Sequence, residues 1–180
     1  MTVTAFRATQ EAESVAGRRL FVLVLFLLGS AQVMAAWSVD DPTELEGNPV
    51  AYATSATGQR AEILMGDRNT VILRLRLSAG FETFTESNCP TFQIDDRKPM
   101  HHFEVGHHCA IVAKRTTYLL GQIIDSEITS VILHRFMNGN QVTFRYTVKS
   151  GQYRQASFSL NSSKQALTRA LGSDTSVLVD

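Results

Sequence analysis

The sequence predicts an all-β fold, an antiparallel β-sandwich (immunoglobulin-like or jelly-roll-like) with one short C-terminal helix. Two observations predict this class. Apolar side chains recur at every second position in residues 70–77 and 141–148, as they do in strands with one buried face. Further short apolar runs are separated by turn residues at regular intervals, which is typical of a sandwich or barrel.

The clearest strand covers residues 70–77. Val71, Leu73 and Leu75 alternate with Arg74 and Arg76. Because successive side chains of a strand point to opposite faces, the leucines are expected to lie inside and the arginines outside. This segment is therefore predicted to be a half-buried antiparallel strand.

The second clear strand covers residues 141–148, with Val142, Phe144 and Tyr146 predicted to face inward. Turn residues lie at both of its ends, and we expect it to form hairpins with residues 131–136 and with residues 153–160. Weaker strands are predicted at residues 51–54, 62–65, 82–85, 92–95, 101–105, 110–114 and 118–123.

A single helix is expected near the C-terminus. Ser162 and Gln165 have the spacing of a capping box, apolar residues at 166, 167, 170 and 171 share one helical face, and Gly172 supplies a stop. The sandwich domain is therefore predicted to span residues 37–172, with residues 173–180 as a flexible tail.

The N-terminus has the layout of a secretory signal peptide. Arg18 and Arg19 precede an apolar run at residues 20–28 and a small-residue stretch that ends at Ala36. The two arginines also fit a twin-arginine export signal, and an uncleaved inner-membrane anchor is the alternative to cleavage. The domain is therefore expected in the periplasm or outside the cell, or anchored to the inner membrane and facing the periplasm.

Length and charge limit the remaining possibilities. Removing 36 of the 180 residues leaves 144, enough for one domain. The formal net charge of the chain is zero and its basic clusters are short, so no nucleic-acid partner is expected. Contact with a membrane is expected only through the N-terminal segment, if that segment is not cleaved.

Cys89 and Cys109 are the two cysteines of the chain. In an exported domain such a pair predicts a disulfide, worth about 3 kcal/mol in the entropy of the unfolded chain. The alternative is that one thiolate binds a metal ion.

Four of the five histidines lie in one short segment, at His101, His102, His107 and His108. Neutral imidazoles suit copper or zinc, so a metal site is one reading of this cluster. The other is a polar hairpin beside the disulfide. The spacing matches no dedicated metal motif.

No catalytic motif was found, so the chain is predicted to be non-enzymatic, with no catalytic residues assigned. His134 is interpreted as a local hydrogen-bonding residue. Residues 95–99 are interpreted as a solvated turn. Tyr52 and Tyr153 are aromatic residues that an interface could use.

Several elements occur in a particular order along the chain: Trp37, the segment from Phe92 to Asp96, residues 106–110, the Phe136-x-x-Gly139-x-x-Val142 pattern, and Phe158-Ser-Leu160 before Ala166-Leu167. Taken together, these elements resemble the invasion-associated locus B family of exported bacterial proteins. The family's early cysteine after the first tryptophan is missing, and residues 161–163 replace its usual Lys-Gly-Phe.

This resemblance implies a non-enzymatic protein of the Gram-negative envelope. Together with the export signal, it leads us to expect an exported protein-binding or accessory module without a cofactor. Its partner would be an envelope protein or another envelope component. The alternative function is a periplasmic copper- or zinc-binding protein that uses the segment from His101 to Cys109.

Overall fold

A computed structural model describes residues 35–41, 47–101 and 109–179. Within those ranges the chain forms strands with two α-helices and one short 3₁₀ turn at Asp67–Asn69. The elements are β1 (Ser38–Asp40), β2 (Val50–Thr54), β3 (Arg60–Met65), β4 (Thr70–Arg76), β5 (Thr91–Ile94), β6 (Ala110–Val112), β7 (Arg115–Gln122), β8 (Glu127–Thr129), α1 (Val131–Asn138), β9 (Gln141–Thr147), β10 (Tyr153–Ser159), α2 (Ser163–Leu171) and β11 (Ser176–Leu178).

The strands form two antiparallel sheets and one small parallel pair. The large sheet has the order β1-β2-β3-β4-β7-β6, the second has the order β10-β9-β5, and β11 pairs with β8. The aromatic rings of Phe92 on β5 and Tyr118 on β7 meet edge to face, with centroids 5.7 Å apart. The predicted all-β, sandwich-like fold is therefore confirmed.

The predicted faces of β4 are also confirmed. Val71, Leu73 and Leu75 are completely buried, whereas Arg74 and Arg76 are half-buried on the opposite face. In the second sheet, β9 buries Val142, Phe144 and Tyr146, and β10 buries Ala156 and Phe158. Burial of such side chains is the main favourable contribution to folding.

The predicted strand at residues 131–136 is wrong, because these residues belong to helix α1. Ser130 begins the helix, and its hydroxyl accepts a hydrogen bond from the Leu133 amide at 3.3 Å. Leu133 and Phe136 are both fully buried, and their three-residue spacing places them on one helical face. The helical period and the serine cap outweigh the β-branched residues at the start of the segment.

As a consequence, β9 does not pair with residues 131–136. It pairs with β10, as expected, and with β5 on its other side. The predicted strand at residues 82–85 contributes one isolated bridge, between Phe84 and Val148. Strand β6 stops at Val112 because Ala113 turns into the left-handed region, with φ 47°. Residues 102–105 of another predicted strand lie outside the described residues.

The C-terminal helix forms as predicted, but its start differs. Ser162 has φ 62° and its side chain makes no capping hydrogen bond, so the capping box is not formed. The next residue, Ser163, is buried and donates its hydroxyl to the Phe136 carbonyl at 2.7 Å, which ties α2 to α1. Beyond the helix, β11 pairs in parallel with β8, so this part of residues 173–180 is a paired strand and not a free tail.

Trp37 is the first buried residue of the described chain, with 4% of its surface exposed. Its indole Nε1 donates to the Ser159 carbonyl at 2.8 Å, and its backbone amide donates to the Asn161 carbonyl at 3.0 Å. The predicted signal segment, residues 1–36, lies outside the described residues except for its last two positions. In the part of the chain that the structure describes, no helix is long and apolar enough to cross a membrane.

Candidate binding surface

The predicted disulfide is present. Cys89 and Cys109 are bonded, with Cα atoms 6.1 Å apart. Cys89 lies just before β5 in the second sheet, and Cys109 lies just before β6 at the edge of the large sheet. The bond therefore connects the two sheets.

A second connection between the sheets lies next to the disulfide. The Tyr118 hydroxyl on β7 donates to the Pro90 carbonyl at 2.7 Å. Burial raises the pKa of Tyr118 far above its ordinary value, so the phenol stays protonated and keeps its donor hydrogen. Together these two links fix the start of β5 against the large sheet.

Removing the disulfide should lower the stability of the fold substantially. In the variant Cys89→Ser/Cys109→Ser, we expect the free energy of unfolding to fall by about 3 kcal/mol, because the unfolded chain regains the entropy of the open loop. Urea unfolding followed by circular dichroism measures this change. A reducing agent should lower the wild-type midpoint to that of the variant and leave the variant unchanged. Equal midpoints for oxidised wild type and variant would contradict the expectation.

The disulfide also changes what the histidine segment can do. Because Cys109 is oxidised, it offers no thiolate, and a metal site would depend on the imidazoles. His101 is exposed, while His102, His107 and His108 lie outside the described residues. Among residues 35–41, 47–101 and 109–179, no three His, Cys, Asp or Glu side chains are grouped to hold a metal ion. The copper or zinc hypothesis stays a prediction.

The acidic turn after β5 has a structural role. Asp95 adopts φ 52°, and its Oδ1 accepts hydrogen bonds from the amides of Asn140 and Gln141 at 2.8 and 3.0 Å. Gly139 lies beside it, where a Cβ atom would come within 2.8 Å of the Arg135 carbonyl and 3.0 Å of the Asp95 carboxylate. The glycine is therefore required for this close approach.

A cluster of charged side chains lies on the outer face of the large sheet. Strand alternation turns Arg60 and Arg74, with Arg76 and Arg115, away from the core, and we call this surface the arginine face. The register of the sheet places Arg60 opposite Arg76, and Arg76 opposite Arg115. Three guanidinium groups on three neighbouring strands thus form one row, with Arg74 two residues along β4.

A buried carboxylate organises this surface. Glu62 has 2% of its surface exposed and lies in the same sheet face. Its two carboxylate oxygens form ion pairs with Arg60 Nε at 3.0 Å and Arg76 Nε at 2.9 Å. Arg60 is held further by Asp40, at 2.5 Å, and by the Tyr52 ring, whose centroid is 3.7 Å from the guanidinium carbon.

Among the described residues, the arginine face holds four arginines and two carboxylates, Glu62 and Asp40. The register of the sheet also places Arg74 directly opposite Glu62. Like charges placed directly opposite each other in a sheet are destabilising, and the row from Arg60 to Arg115 contains two such pairs. Arg115 Nε is buried and makes no hydrogen bond within the described part of the chain.

Sequence reasoning identified Arg74 and Arg76 as outward residues but did not connect them with Arg60 and Arg115. The sequence does contain a pattern that could have placed Arg60 beside Arg74 and Arg76. The alternation of β3 places Arg60 and Glu62 on one face, and the turn at residues 66–69 could have fixed the register of β3 against β4. Arg115 gave no such signal, because β7 follows β4 only after an intervening segment in the second sheet.

The two tyrosines noted in the sequence lie in different places. Tyr52 belongs to the arginine face, beneath Arg60. Tyr153, at the start of β10, has 63% of its surface exposed. His134 lies on α1, where its backbone carbonyl accepts a hydrogen bond from the Asn138 side chain at 2.8 Å. Tyr52 is therefore the aromatic residue that joins the charged surface.

Comparison with known proteins supports the fold. No family model matches the sequence, and no curated protein is significantly similar to it. The crystal structure of invasion associated protein B from Bartonella henselae is similar, with a TM-score of 0.50 and 11% identity, over 78% of this chain and 94% of that chain. At this identity the likeness is one of fold alone.

The residues behind the sequence resemblance are mostly structural. Trp37, Phe92 and Phe136 form one aromatic group, with ring centroids of neighbouring pairs 6.1 and 6.2 Å apart. Phe158 and Leu167 are also buried. These positions build a core, so what this chain shares with invasion associated protein B is the architecture of its sheets and helices.

Proposed function

We propose that this chain is an exported, non-enzymatic binding module of the bacterial envelope. The observation that carries the proposal is the arginine face, a charged surface on a rigid six-stranded sheet. Sites on strands hold their side chains more precisely than sites on loops. Arg60 is already fixed by Glu62, Asp40 and Tyr52, so little side-chain entropy remains to be lost when a partner binds.

Two further features support the exported location. Residues 18–36 have the layout of an export signal. The bond between Cys89 and Cys109 fits an oxidising compartment, since disulfides persist outside the cytoplasm and are rare within it. The partner is proposed to be a protein of the envelope, because arginine and tyrosine together are enriched in protein interfaces.

One experiment tests export and binding together. Whole cells that produce the protein are treated with a cross-linker that passes the outer membrane but not the inner one. We expect the chain to be recovered in a complex with one defined envelope protein at constant stoichiometry. The control variant lacks residues 20–28, stays in the cytoplasm and should give no complex. Recovery of no partner, or of the same products with the deletion variant, would contradict the proposal.

A further inference from the structure

We infer that strand β10 pairs edge to edge with β10 of a second copy of this chain. β10 belongs to the second sheet, whereas the arginine face belongs to the large sheet, so the inference goes beyond the proposed function and does not depend on it. In the strand order β10-β9-β5, β10 has β9 on one side. On its other side, no strand of the described part of the chain is paired with it.

The backbone groups on the open edge of β10 follow from those that β9 already uses. The Val148 amide donates to the Gln152 carbonyl, and the Leu160 amide donates to the Asn140 carbonyl. Even-numbered residues of β10 therefore direct their N–H and C=O groups toward β9, and odd-numbered residues direct theirs away from it. Three odd-numbered residues form the open edge: Tyr153, Gln155 and Ser157. Among the described residues, the N–H and C=O groups of these three have no hydrogen-bond partner.

The other sheet edges are shorter or already covered. β1 and β6, at the two edges of the large sheet, have three residues each. β5, at the far edge of the second sheet, has four residues, and both backbone groups of Phe92 are hydrogen-bonded to Met100. Natural proteins usually protect a longer edge with lysine, proline or a bulge. β10 has seven residues and contains none of these, so it is the edge best suited to pairing.

The positions of the free groups specify a register for two copies. The Trp37 indole already occupies the Ser159 carbonyl at 2.8 Å, so the free edge ends at Ser157 and is centred on Gln155. In a two-fold antiparallel pair centred there, each Gln155 lies opposite its counterpart, and Tyr153 lies opposite Ser157 of the second copy. Every free N–H and C=O group of the three edge residues then gains a partner.

The side chains of β10 are compatible with the same register. Arg154 is the one charged residue of the strand, and its guanidinium is paired with Glu82 at 3.0 Å. In the centred register it lies opposite Ala156 of the second copy and not opposite another Arg154, so no like charges face each other. Tyr153, with 63% of its surface exposed, gains a neighbour across the junction. The pairing joins two three-stranded sheets into one continuous sheet.

The first test measures the mass of the purified full-length protein by sedimentation over a range of concentrations. We expect wild type to form a dimer whose fraction rises with protein concentration. Gln155→Lys should weaken this association at least about tenfold, because it places two positive charges directly opposite each other. The matched control, Ser38→Lys, adds the same charge to an exposed position of β1, the edge strand of the large sheet. It should associate like wild type, and both variants should keep the wild-type thermal midpoint.

The second test measures the register by disulfide cross-linking. Opposed residues in a hydrogen-bonded antiparallel pair have Cα atoms about 5.5 Å apart, which suits a disulfide. Mild oxidation should therefore convert Gln155→Cys into a covalent dimer. Tyr153→Cys lies on the same edge, but its counterpart is displaced by four residues, roughly 13 Å, and it should not link to itself. A mixture of Tyr153→Cys and Ser157→Cys should give the mixed dimer.

Three results would overturn the inference. They are a wild-type protein that stays monomeric at every concentration, equal association of wild type and Gln155→Lys, and a Gln155→Cys variant that links to a different protein in cells and not to a second copy. All variants keep the same N-terminal segment, so association through that segment would leave wild type and Gln155→Lys alike. If Gln155→Lys loses thermal stability, the cross-linking of Gln155→Cys, which adds no charge, still decides.

Discussion

The substitution Leu75→Asp is expected to abolish folding. Leu75 lies in the middle of the large sheet, is fully buried, and faces Ala61 on β3 and Thr116 on β7. Among the described residues the buried core contains no cationic side chain, so a carboxylate at this position would be unpaired, and burying it costs several kcal/mol. Because a domain of this size is stable by about 5–15 kcal/mol, we expect circular dichroism to show an unfolded or aggregated chain.

The control places the same charge on the other side of the same sheet. Thr117 lies opposite Arg74 on the outer face and is half-buried. Thr117→Asp adds a carboxylate beside the arginines and should fold with a stability within about 0.5 kcal/mol of wild type, or above it. Comparable losses in the two variants would show that the faces of β4 and β7 are assigned wrongly.

The substitution Phe136→Ala should produce the next largest loss. Phe136 is completely buried in α1 and packs between the rings of Trp37 and Phe92, with centroids 6.1 and 6.2 Å away. Truncation leaves a cavity among side chains from three separate parts of the chain, and we expect the free energy of unfolding to fall by about 3–5 kcal/mol. Urea unfolding measures this loss.

Val131 provides the matched control, since it lies in the same helix with 37% of its surface exposed. Val131→Ala should change the free energy of unfolding by less than about 0.5 kcal/mol. If Phe136→Ala were as mild as Val131→Ala, then α1 would not be the element that holds the aromatic group together.

The strands with a strict two-residue period were predictable. Apolar and polar side chains alternate throughout β9, over residues 73–76 of β4 and over residues 156–159 of β10, and a single buried face fixes which residues lie inside. Residues 131–136 were not read correctly because Val131 and Ile132 favour strands, while the decisive features are the Ser130 cap and the spacing from Leu133 to Phe136. The strand preference of Val131 and Ile132 was outweighed by the burial of Phe136 against Trp37 and Phe92.

The arginine face was less accessible to sequence reasoning. The two-residue alternation of β4 shows which face of the strand Arg74 and Arg76 occupy. The residues beside them on adjacent strands depend on which strands pair and in which register. Arg115 reaches Arg76 because β7 joins β4 after the chain has contributed β5 to the second sheet. In the same way, Asp95 has its role because β5 and β9 pair, which brings the amides of Asn140 and Gln141 to its carboxylate.

The attachment of Trp37 bears on the order of events during the proposed export. The predicted cleavage point after Ala36 is adjacent to Trp37, whose indole is bound to Ser159 at the end of β10 and whose amide is bound to Asn161 just beyond it. A peptidase must draw several residues around the scissile bond into an extended conformation, and Trp37 cannot join it while docked. If the leader is cleaved after Ala36, as the sequence predicts, its removal is therefore expected to precede the docking of β1, so that maturation and the last step of folding follow one another in a fixed sequence.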